Sequence, residues 1–419
     1  MAVTKVVFVG CYTIRSAGDD APLAFLTTAL RERLGPCDFV VLARHPSPEF
    51  DRFHGVRTIA GFEHESREAA QGRWMRGLNV ADERSHLRGI ADEIASADLV
   101  VLGAGNFFTE VSFDLFRGNF AMILIAAAIA EMAGTPYFLF AMSANALRLP
   151  WAVKAAAWVL RRASAVIFRD RSAVTNLVGS GVALPTHRVL PDPALGAPPC
   201  DPRRSAEILQ QEGIDLVGRE VLAVALRNLS YMNAQEPYEA MLAEVVDRWN
   251  QRGPQRAVLF IPQCSYHVGD PGTDDRHMAR CLARRVATKS QCFFIEGEHQ
   301  SSEIECLYAE ARVTLATRLH GCVFSVKMGT ATLGLAYEDK VSGFFDQLGM
   351  PEACLPLDAT AEEVFRQIEQ LAQKADTLRP LLLEKVEGLR QELCGYVNTA
   401  VDLIAERQRQ LSAAKENQP

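Results

Sequence analysis

An arginine and a histidine lie two positions apart in the chain, Arg318 and His320, between two apolar runs. A guanidinium keeps its positive charge at any physiological pH, and its planar set of donors matches carboxylates and phosphates. An imidazole can donate or accept a proton near neutral pH. Together these two side chains could hold a small anion and protonate it.

The surrounding residues predict how this pair is positioned. A strand-like run, residues 313–317, precedes Arg318, and a helical segment follows His320. In open α/β sheets, ligands bind at the carboxyl ends of strands, where helix N-termini add N–H donors. Arg227 follows another apolar run, residues 221–226, so we expect it at the same edge. The sequence therefore predicts an anion site with a proton donor.

A second interpretation fits the same spacing. Arg318 would pair with a carboxylate in the core, and His320 would be an interior histidine with a structural partner.

Short apolar runs alternate with segments of helical period along most of the chain. This alternation is typical of parallel, doubly wound sheets that are covered on both faces. Five prolines crowd residues 191–202 and predict a linker. We therefore expect two Rossmann-like domains facing across a cleft, residues 1–200 and 201–419, with helices at the end of the second. The strand candidates are residues 6–10, 40–43, 99–103, 137–142, 165–168, 221–226, 257–261, 292–296, 313–317 and 332–337.

Two helix starts can be placed from local signals. Asp20 is a candidate N-cap for a helix that Gly35 ends. Ser302 and Glu305 have the spacing of a capping box, at the start of the helix that leads to residues 313–317.

The composition excludes several classes of function. The net charge is -7, whereas nucleic-acid binding relies on a basic face that neutralises phosphates. The ten cysteines form no C-x-x-C pair, so we predict no zinc site. The opening residues, MAVTKVVFVGCYT, begin with a strand-like run and lack the features of a signal peptide, so we expect a cytoplasmic protein.

One apolar segment, residues 120–142, approaches the length of a membrane-spanning helix. Glu131, Gly134 and Pro136 interrupt it. We therefore predict a buried helix that ends at Gly134 and a buried strand that begins near Pro136.

The stretch ATRLHGCVFSVKMGTATLGLAYEDKVSGFFDQLGM resembles the most characteristic block of the polysaccharide pyruvyl transferase family. That block combines R-L-H, a helix of small and apolar residues, G-x-P, Y-x-x-K and G-F-x-x-x-L-G, although Ala331 or Thr332 stands where the proline is usual. Weaker similarity covers residues 5–360: Ser16 replaces an asparagine in the first glycine loop, and Ala104 replaces the middle glycine of the second. The matching residues of the block are Arg318, Leu319, His320, Gly329, Tyr337, Lys340, Gly343, Phe344, Leu348 and Gly349.

The resemblance implies a glycosyltransferase-B-like fold and transfer of the enolpyruvyl unit of phosphoenolpyruvate to two hydroxyls of a sugar. The product would be a cyclic pyruvate ketal. It also implies that Arg227, Arg318 and the backbone of Leu319 bind the donor and that His320 is the general acid. The donor would bind in the second domain and the acceptor in the first, and the reaction requires no metal and no cofactor.

Two glycine loops of the first domain follow strands, so we expect them to help bind a sugar or glycan acceptor, and a lipid-linked acceptor is one candidate. Their candidate contacts are Gly18, Asp19, Asn106 and Glu110, although turn and cap roles fit them equally. Neither loop has the G-x-G-x-x-G pattern of a dinucleotide site.

In the second domain, Gln263, His267 and Lys340 are further candidate contacts in the cleft. The loop that holds His267 also holds Asp274 and Asp275. Their spacing matches no standard set of metal ligands, and either aspartate can cap the next helix.

The segment PWAVKAAAWVLRR sets Trp151 and Trp158 on one helical face beside Lys154 and Arg161. This combination is typical of proteins that contact a membrane surface, which predicts peripheral contact with the inner face of the membrane. The ordinary explanation is a helix packed on the sheet, with its cations extended to water.

Two alternative functions stay open at this point. One is a glycosyltransferase of the same fold that uses a nucleotide sugar, in which the arginines hold a diphosphate. The other is a binding protein that kept the fold without catalysis, an alternative that the changes at Ser16 and Ala104 leave open. Nothing in the sequence predicts an oligomeric state.

Overall fold

The computed structural model describes residues 3–62, 84–110, 118–265 and 273–416. The strands in these ranges are β1 (Thr4–Val9), β2 (Cys37–Ala43), β3 (Arg57–Ala60), β4 (Leu99–Phe108), β5 (Tyr137–Ala144), β6 (Ala165–Phe168), β7 (Arg188–Val189), β8 (Glu220–Ala225), β9 (Arg256–Phe260), β10 (Cys292–Phe294), β11 (Val313–Ala316), β12 (Ala331–Ala336) and β13 (Cys354–Pro356).

Helices alternate with these strands, as the sequence predicts. They are α1 (Ala17–Leu34), α2 (Pro48–His54), α3 (Arg84–Ala95), α4 (Gly118–Ala133), α5 (Pro150–Arg162), α6 (Arg171–Gly179), α7 (Arg204–Gln211), α8 (Gln235–Asn250), α9 (Asp275–Arg285), α10 (Ser301–Cys306), α11 (Leu319–Lys327), α12 (Asp339–Gln347), α13 (Ala361–Glu392) and α14 (Cys394–Glu416).

The strands form two parallel sheets, and the predicted α/β class is confirmed. The first sheet has seven strands in the order β3-β2-β1-β4-β5-β6-β7, and the second has six in the order β10-β9-β8-β11-β12-β13. Each order reverses direction beside its central strands, which is the doubly wound topology that places ligand sites at the carboxyl ends of strands.

The apolar segment 120–142 forms a helix and a strand. Helix α4 ends at Ala133, Gly134 follows with a φ of 64°, and β5 begins at Tyr137. In the described part of the chain, no helix is long and apolar enough to cross a membrane.

The chain divides into two compact units, one around each sheet. The first comprises residues 1–14, 22–196 and 392–419, and the second comprises Arg15–Ala21 and Ala197–Gln391. Two segments differ from the predicted division at residue 200. Helix α14 belongs to the first unit because its Tyr396 packs on the Phe140 ring, with 4.9 Å between centroids. The start of α1 belongs to the second unit.

Candidate active site

The two arginines predicted to meet lie at the ends of neighbouring strands. Strands β8 and β11 pair in parallel, with Ala316 opposite Ala225. The N–H of Thr317 donates to the carbonyl of Ala225 at 3.0 Å. Arg227 and Arg318 therefore leave the second sheet at its carboxyl edge, side by side.

Helix α11 starts at this edge, directly after Arg318. The first N–H groups of a helix have no acceptor within the helix, and they carry a partial positive charge. His320 lies in this first turn. A Cβ on Gly321 would be 2.6 Å from the Cβ of Ala225, so a glycine is needed where α11 passes so close to β8.

Arg318 is held by groups of its own unit. Its Nε donates to the carbonyl of Leu226 at 3.1 Å, and its Nη2 pairs with Oδ1 of Asp275, a residue that is 2% exposed. The other carboxylate oxygen, Oδ2, accepts from the backbone of Gln263 at 3.0 Å and of Cys264 at 2.9 Å. Burial opposes the charge on Arg318, but the carboxylate of Asp275 outweighs it and raises the pKa of Arg318.

This ion pair matches the second interpretation of Arg318, a guanidinium paired with an interior carboxylate. It also fixes the guanidinium plane, because two of the three nitrogens are bonded. The third nitrogen, Nη1, makes no hydrogen bond to any residue that the structure describes. Arg318 therefore offers the edge of its guanidinium that carries Nη1, and Asp275 compensates part of its positive charge.

Arg227 lies against an aromatic ring that comes from the next strand. Its Cζ is 4.8 Å from the centroid of Tyr337, which follows β12. The Nζ of Lys340 is 5.1 Å from the same centroid and pairs with Glu338. The structure therefore brings the predicted contact Lys340 and Arg227 to the same aromatic ring.

The imidazole of His320 lies against the first turn of α1. A Cβ placed on Gly18 would be 1.9 Å from Nδ1 and 2.2 Å from Cγ of His320. Backbone hydrogen bonds anchor this turn, since the N–H of Ala17 donates to the carbonyl of Gln263 at 3.0 Å. The predicted residues Gly18, Gln263 and His320 thus lie together in the second unit.

Other predicted contacts of this unit are also located. Gln263 is 4% exposed, and its Nε2 donates to the hydroxyl of Tyr308 at 2.7 Å, so its side chain is part of the support beneath the site. Asp19 is half-buried in the first turn of α1, next to Gly18. His267 lies outside the described residues.

Asn106 and Glu110 belong to the first unit. The Nδ2 of Asn106 donates to Oδ1 of Asn145 at 2.9 Å. One carboxylate oxygen of Glu110 accepts from the N–H groups of Arg148 and Leu149, at 2.7 Å each. This structural role at the start of α5 fits the alternative that turn and cap functions explain these residues.

The sequence does not indicate the function of two residues of the site. Either Asp274 or Asp275 could cap the next helix, and the structure gives that role to Asp274, which accepts from the N–H of Arg276 at 2.9 Å. Tyr337 belongs to the family block, but its spacing predicts no contact. Neither contact follows from local spacing, because the partners come from different strands and loops.

The first turn of α5 and the turns after it leave cations at the surface. Lys154 and Arg161 are exposed, and neither forms an ion pair within the part of the chain that the structure describes. Trp151 and Trp158 are half-buried and pack against the core of the first unit, which is what the ordinary explanation expects. Membrane contact stays a prediction.

Solved structures of several other proteins have the same fold. HepE of Anabaena, solved with UDP-glucose, matches with a TM-score of 0.59, 13% identity and coverage of 98% of this chain and 99% of that one. The UDP-GlcNAc 2-epimerase of Neisseria meningitidis, solved with UDP-GlcNAc, matches with a TM-score of 0.59, 10% identity and coverage of 95% and 100%. A glycosyltransferase of Rickettsia africae matches with a TM-score of 0.57 and 10% identity, and the match covers 100% of both chains. The glycosyltransferase-B-like fold is confirmed.

Sequence comparison shows which family of this fold the protein resembles. The family model for polysaccharide pyruvyl transferase matches residues 18–339. The amylovoran biosynthesis protein AmsJ of Erwinia amylovora is 24% identical over 382 residues, which cover 83% of this chain and 87% of AmsJ. The protein belongs to the polysaccharide pyruvyl transferase family, as the R-L-H block indicated.

Proposed function

We propose that this protein transfers the enolpyruvyl group of phosphoenolpyruvate to hydroxyls of a sugar or glycan acceptor and forms a pyruvate ketal. The observation that carries the proposal is the placement of His320 in the first turn of α11, at the strand edge that also holds Arg227 and Arg318. The donor anion then contacts the two arginines, the N-terminus of α11 and the proton donor His320.

Donor binding is shared among several groups. The donor has a phosphate and a carboxylate, and the first N–H groups of α11, including that of Leu319, favour an anion. Arg227 supplies a guanidinium, and Arg318 supplies the edge that carries Nη1. Because Asp275 compensates part of the charge on Arg318, we assign the larger electrostatic share to Arg227.

His320 acts as the general acid. Nδ1, Cγ and Cε1 are the ring atoms nearest Gly18, so Nε2 lies on the opposite edge, and we assign proton donation to it. Protonation of the donor's methylene carbon makes a methyl group and leaves positive charge at C2. General acid catalysis of this kind contributes about 10² to 10⁴ in rate.

The remaining steps conserve atoms and charge. One acceptor hydroxyl attacks C2 and gives its proton back to His320. The bond from C2 to the phosphate oxygen then breaks, a second hydroxyl attacks C2 to close the ketal, and its proton leaves with the phosphate. The transfer involves no net oxidation or reduction, so the scheme requires no redox cofactor. Asp19, which follows Gly18 in the first turn of α1, is our candidate for an acceptor contact.

The family and one relative support a glycan precursor as the class of acceptor. AmsJ is named for amylovoran biosynthesis, which supports a glycan precursor as the acceptor. We propose that the precursor is carried on a lipid or a nucleotide and that the reaction takes place in the cytoplasm. Asn106 and Glu110 stay candidates for acceptor binding.

A nucleotide-sugar transferase is the second candidate, because related folds were solved with UDP-sugars. Calorimetric titrations with phosphoenolpyruvate and with UDP-glucose distinguish the two. Our proposal expects binding of phosphoenolpyruvate that UDP-glucose does not displace. Binding of UDP-glucose alone would support the second candidate. Donor binding without phosphate release, with every glycan precursor offered, would indicate a noncatalytic binding protein.

A further inference from the structure

We propose that Tyr337 is a positioning residue, whose ring fixes Arg227 and Lys340 at the donor end of the site. This inference rests on the proposed function, which assigns to Arg227 the task of holding the donor anion, and it adds Lys340 to that task. Tyr337 itself does not contact the donor in this proposal and acts only through the two cations.

The Tyr337 ring lies close to two cationic side chains. Tyr337 follows β12, which pairs with β11, so it leaves the sheet one strand away from Arg318. The ring centroid is 4.8 Å from Cζ of Arg227 and 5.1 Å from Nζ of Lys340. Both distances lie within the range at which a cation is attracted to an aromatic face.

Such contacts organise the site before the donor binds. Arginine and lysine side chains have many rotamers, and holding them in one geometry at the moment of binding weakens affinity. A ring that already holds the guanidinium and the ammonium removes part of that entropic cost. The phenol hydroxyl is not needed for this function, because the ring face makes the contact.

The competing explanation is that Tyr337 only fills the core, and the second unit contains a matched control for it. Phe365 in α13 is 6% exposed, against 7% for Tyr337, and Cζ of Arg252 is 5.3 Å from its centroid. Replacing either ring by leucine removes a buried aromatic group and a contact with a cation. Only Tyr337 touches cations of the donor site.

The experiment measures donor affinity, KM and kcat for Tyr337→Phe, Tyr337→Leu and Phe365→Leu. Thermal unfolding confirms that each variant is folded. We expect Tyr337→Leu to raise donor Kd and KM about tenfold, with kcat within about threefold of wild type, because the ring holds the cations and not the transition state. Tyr337→Phe should restore wild-type affinity, and Phe365→Leu should leave it unchanged.

A double variant tests whether the effect passes through Arg227. If Tyr337 acts by holding that guanidinium, Tyr337→Leu should weaken donor binding far less in an Arg227→Ala background than in wild type. Wild-type affinity in Tyr337→Leu, or a full tenfold loss in the Arg227→Ala background, would overturn the inference and leave the proposed function standing. A wild-type protein that does not bind phosphoenolpyruvate would overturn both.

Discussion

The backbone of Gly18 lies directly against the imidazole of His320. A Cβ at Gly18 would be 1.9 Å from Nδ1, well below the 3.0 Å that real Cβ atoms respect. The glycine is therefore required by close approach. The start of α1 therefore sets the position of His320, the proposed general acid.

Gly18→Ala should displace His320 and reduce kcat by about tenfold or more, because general acid catalysis depends on the placement of the proton. The measurement is steady-state kinetics of phosphate release, with circular dichroism to confirm folding. Gly343→Ala in α12 is the control, since a Cβ there meets nothing within 4 Å. If Gly18→Ala and Gly343→Ala had the same kcat, the assigned contact would have no catalytic role.

The pair of Arg318 and Asp275 predicts a loss of stability as well as a loss of binding. Arg318→Ala leaves the carboxylate of Asp275, which is 2% exposed, without its cation. We expect a decrease of about 3 kcal/mol in the free energy of unfolding, measured in urea, and weaker donor binding. Arg227→Ala, in contrast, should weaken donor binding with a change of under about 1 kcal/mol in stability.

A double replacement separates the two effects of Arg318. Arg318→Met with Asp275→Leu removes both charges, so stability should recover relative to Arg318→Ala. Donor affinity should stay low, because no guanidinium edge remains. Full recovery of donor affinity in the double variant would show that Arg318 has a purely structural role.

A buried histidine of the first unit predicts how stability varies with pH. Burial, helped by the nearby charge of Arg31, lowers the pKa of His54 to about 4. The unfolded chain then binds a proton at higher pH than the folded chain does, starting near pH 6.5. The stability that His54 contributes is thus complete above about pH 6.5 and is lost as the pH falls toward about 4.

His54→Phe should flatten the pH dependence of stability in this window. The ring stays in place against Phe50, where the centroids are now 4.3 Å apart, and it no longer titrates. Urea unfolding at pH 7.5, 6, 5 and 4.5 is the measurement. An unchanged slope in the variant would mean that other groups produce the acid sensitivity.

The exposed cations of α5 predict binding to anionic vesicles. Lys154→Glu with Arg161→Glu should abolish flotation with vesicles that contain phosphatidylglycerol, because each basic residue contributes about 1 kcal/mol at such a surface. Lys289→Glu with Lys374→Glu makes the same change of charge at exposed positions of the second unit and is the control. Equal flotation of the two double variants, or no flotation of wild type, would exclude this surface as a membrane contact.

The sequence predicted the strands and two helix C-termini well, and two helix starts poorly. Apolar runs such as residues 99–103 and 313–317 mark strands because buried parallel strands must be apolar on both faces. Helix α1, however, begins at Ala17 and not after Asp20, since the carbonyl of Ser16 accepts from the N–H groups of Asp19 and Asp20 at 3.0 and 3.2 Å.

The predicted capping box of Ser302 and Glu305 was also wrong. Gln300 and Glu303 form it, and the N–H of Gln300 donates to the carboxylate of Glu303 at 2.9 Å. Glu305 instead pairs with Lys327 in the core at 2.7 Å. Local spacing cannot distinguish two such registers when tertiary contacts decide between them.

The candidate site was predicted in part for a similar reason. Strand ends located Arg227, Arg318 and His320, because parallel strands bring their carboxyl ends to one edge. The partner of Arg318 lies 43 residues away, in the first turn of α9, and only the folded chain shows it. No periodicity in the sequence indicates such a pairing.

In the proposed reaction, His320 protonates a bound phosphoenolpyruvate. Wild type and His320→Ala are compared for two quantities, donor affinity by calorimetry and formation of the pyruvate ketal by mass spectrometry of an offered glycan precursor. We expect donor affinity within about tenfold of wild type and no detectable ketal from the variant. Ketal formation by His320→Ala at the wild-type rate would show that His320 is not the general acid.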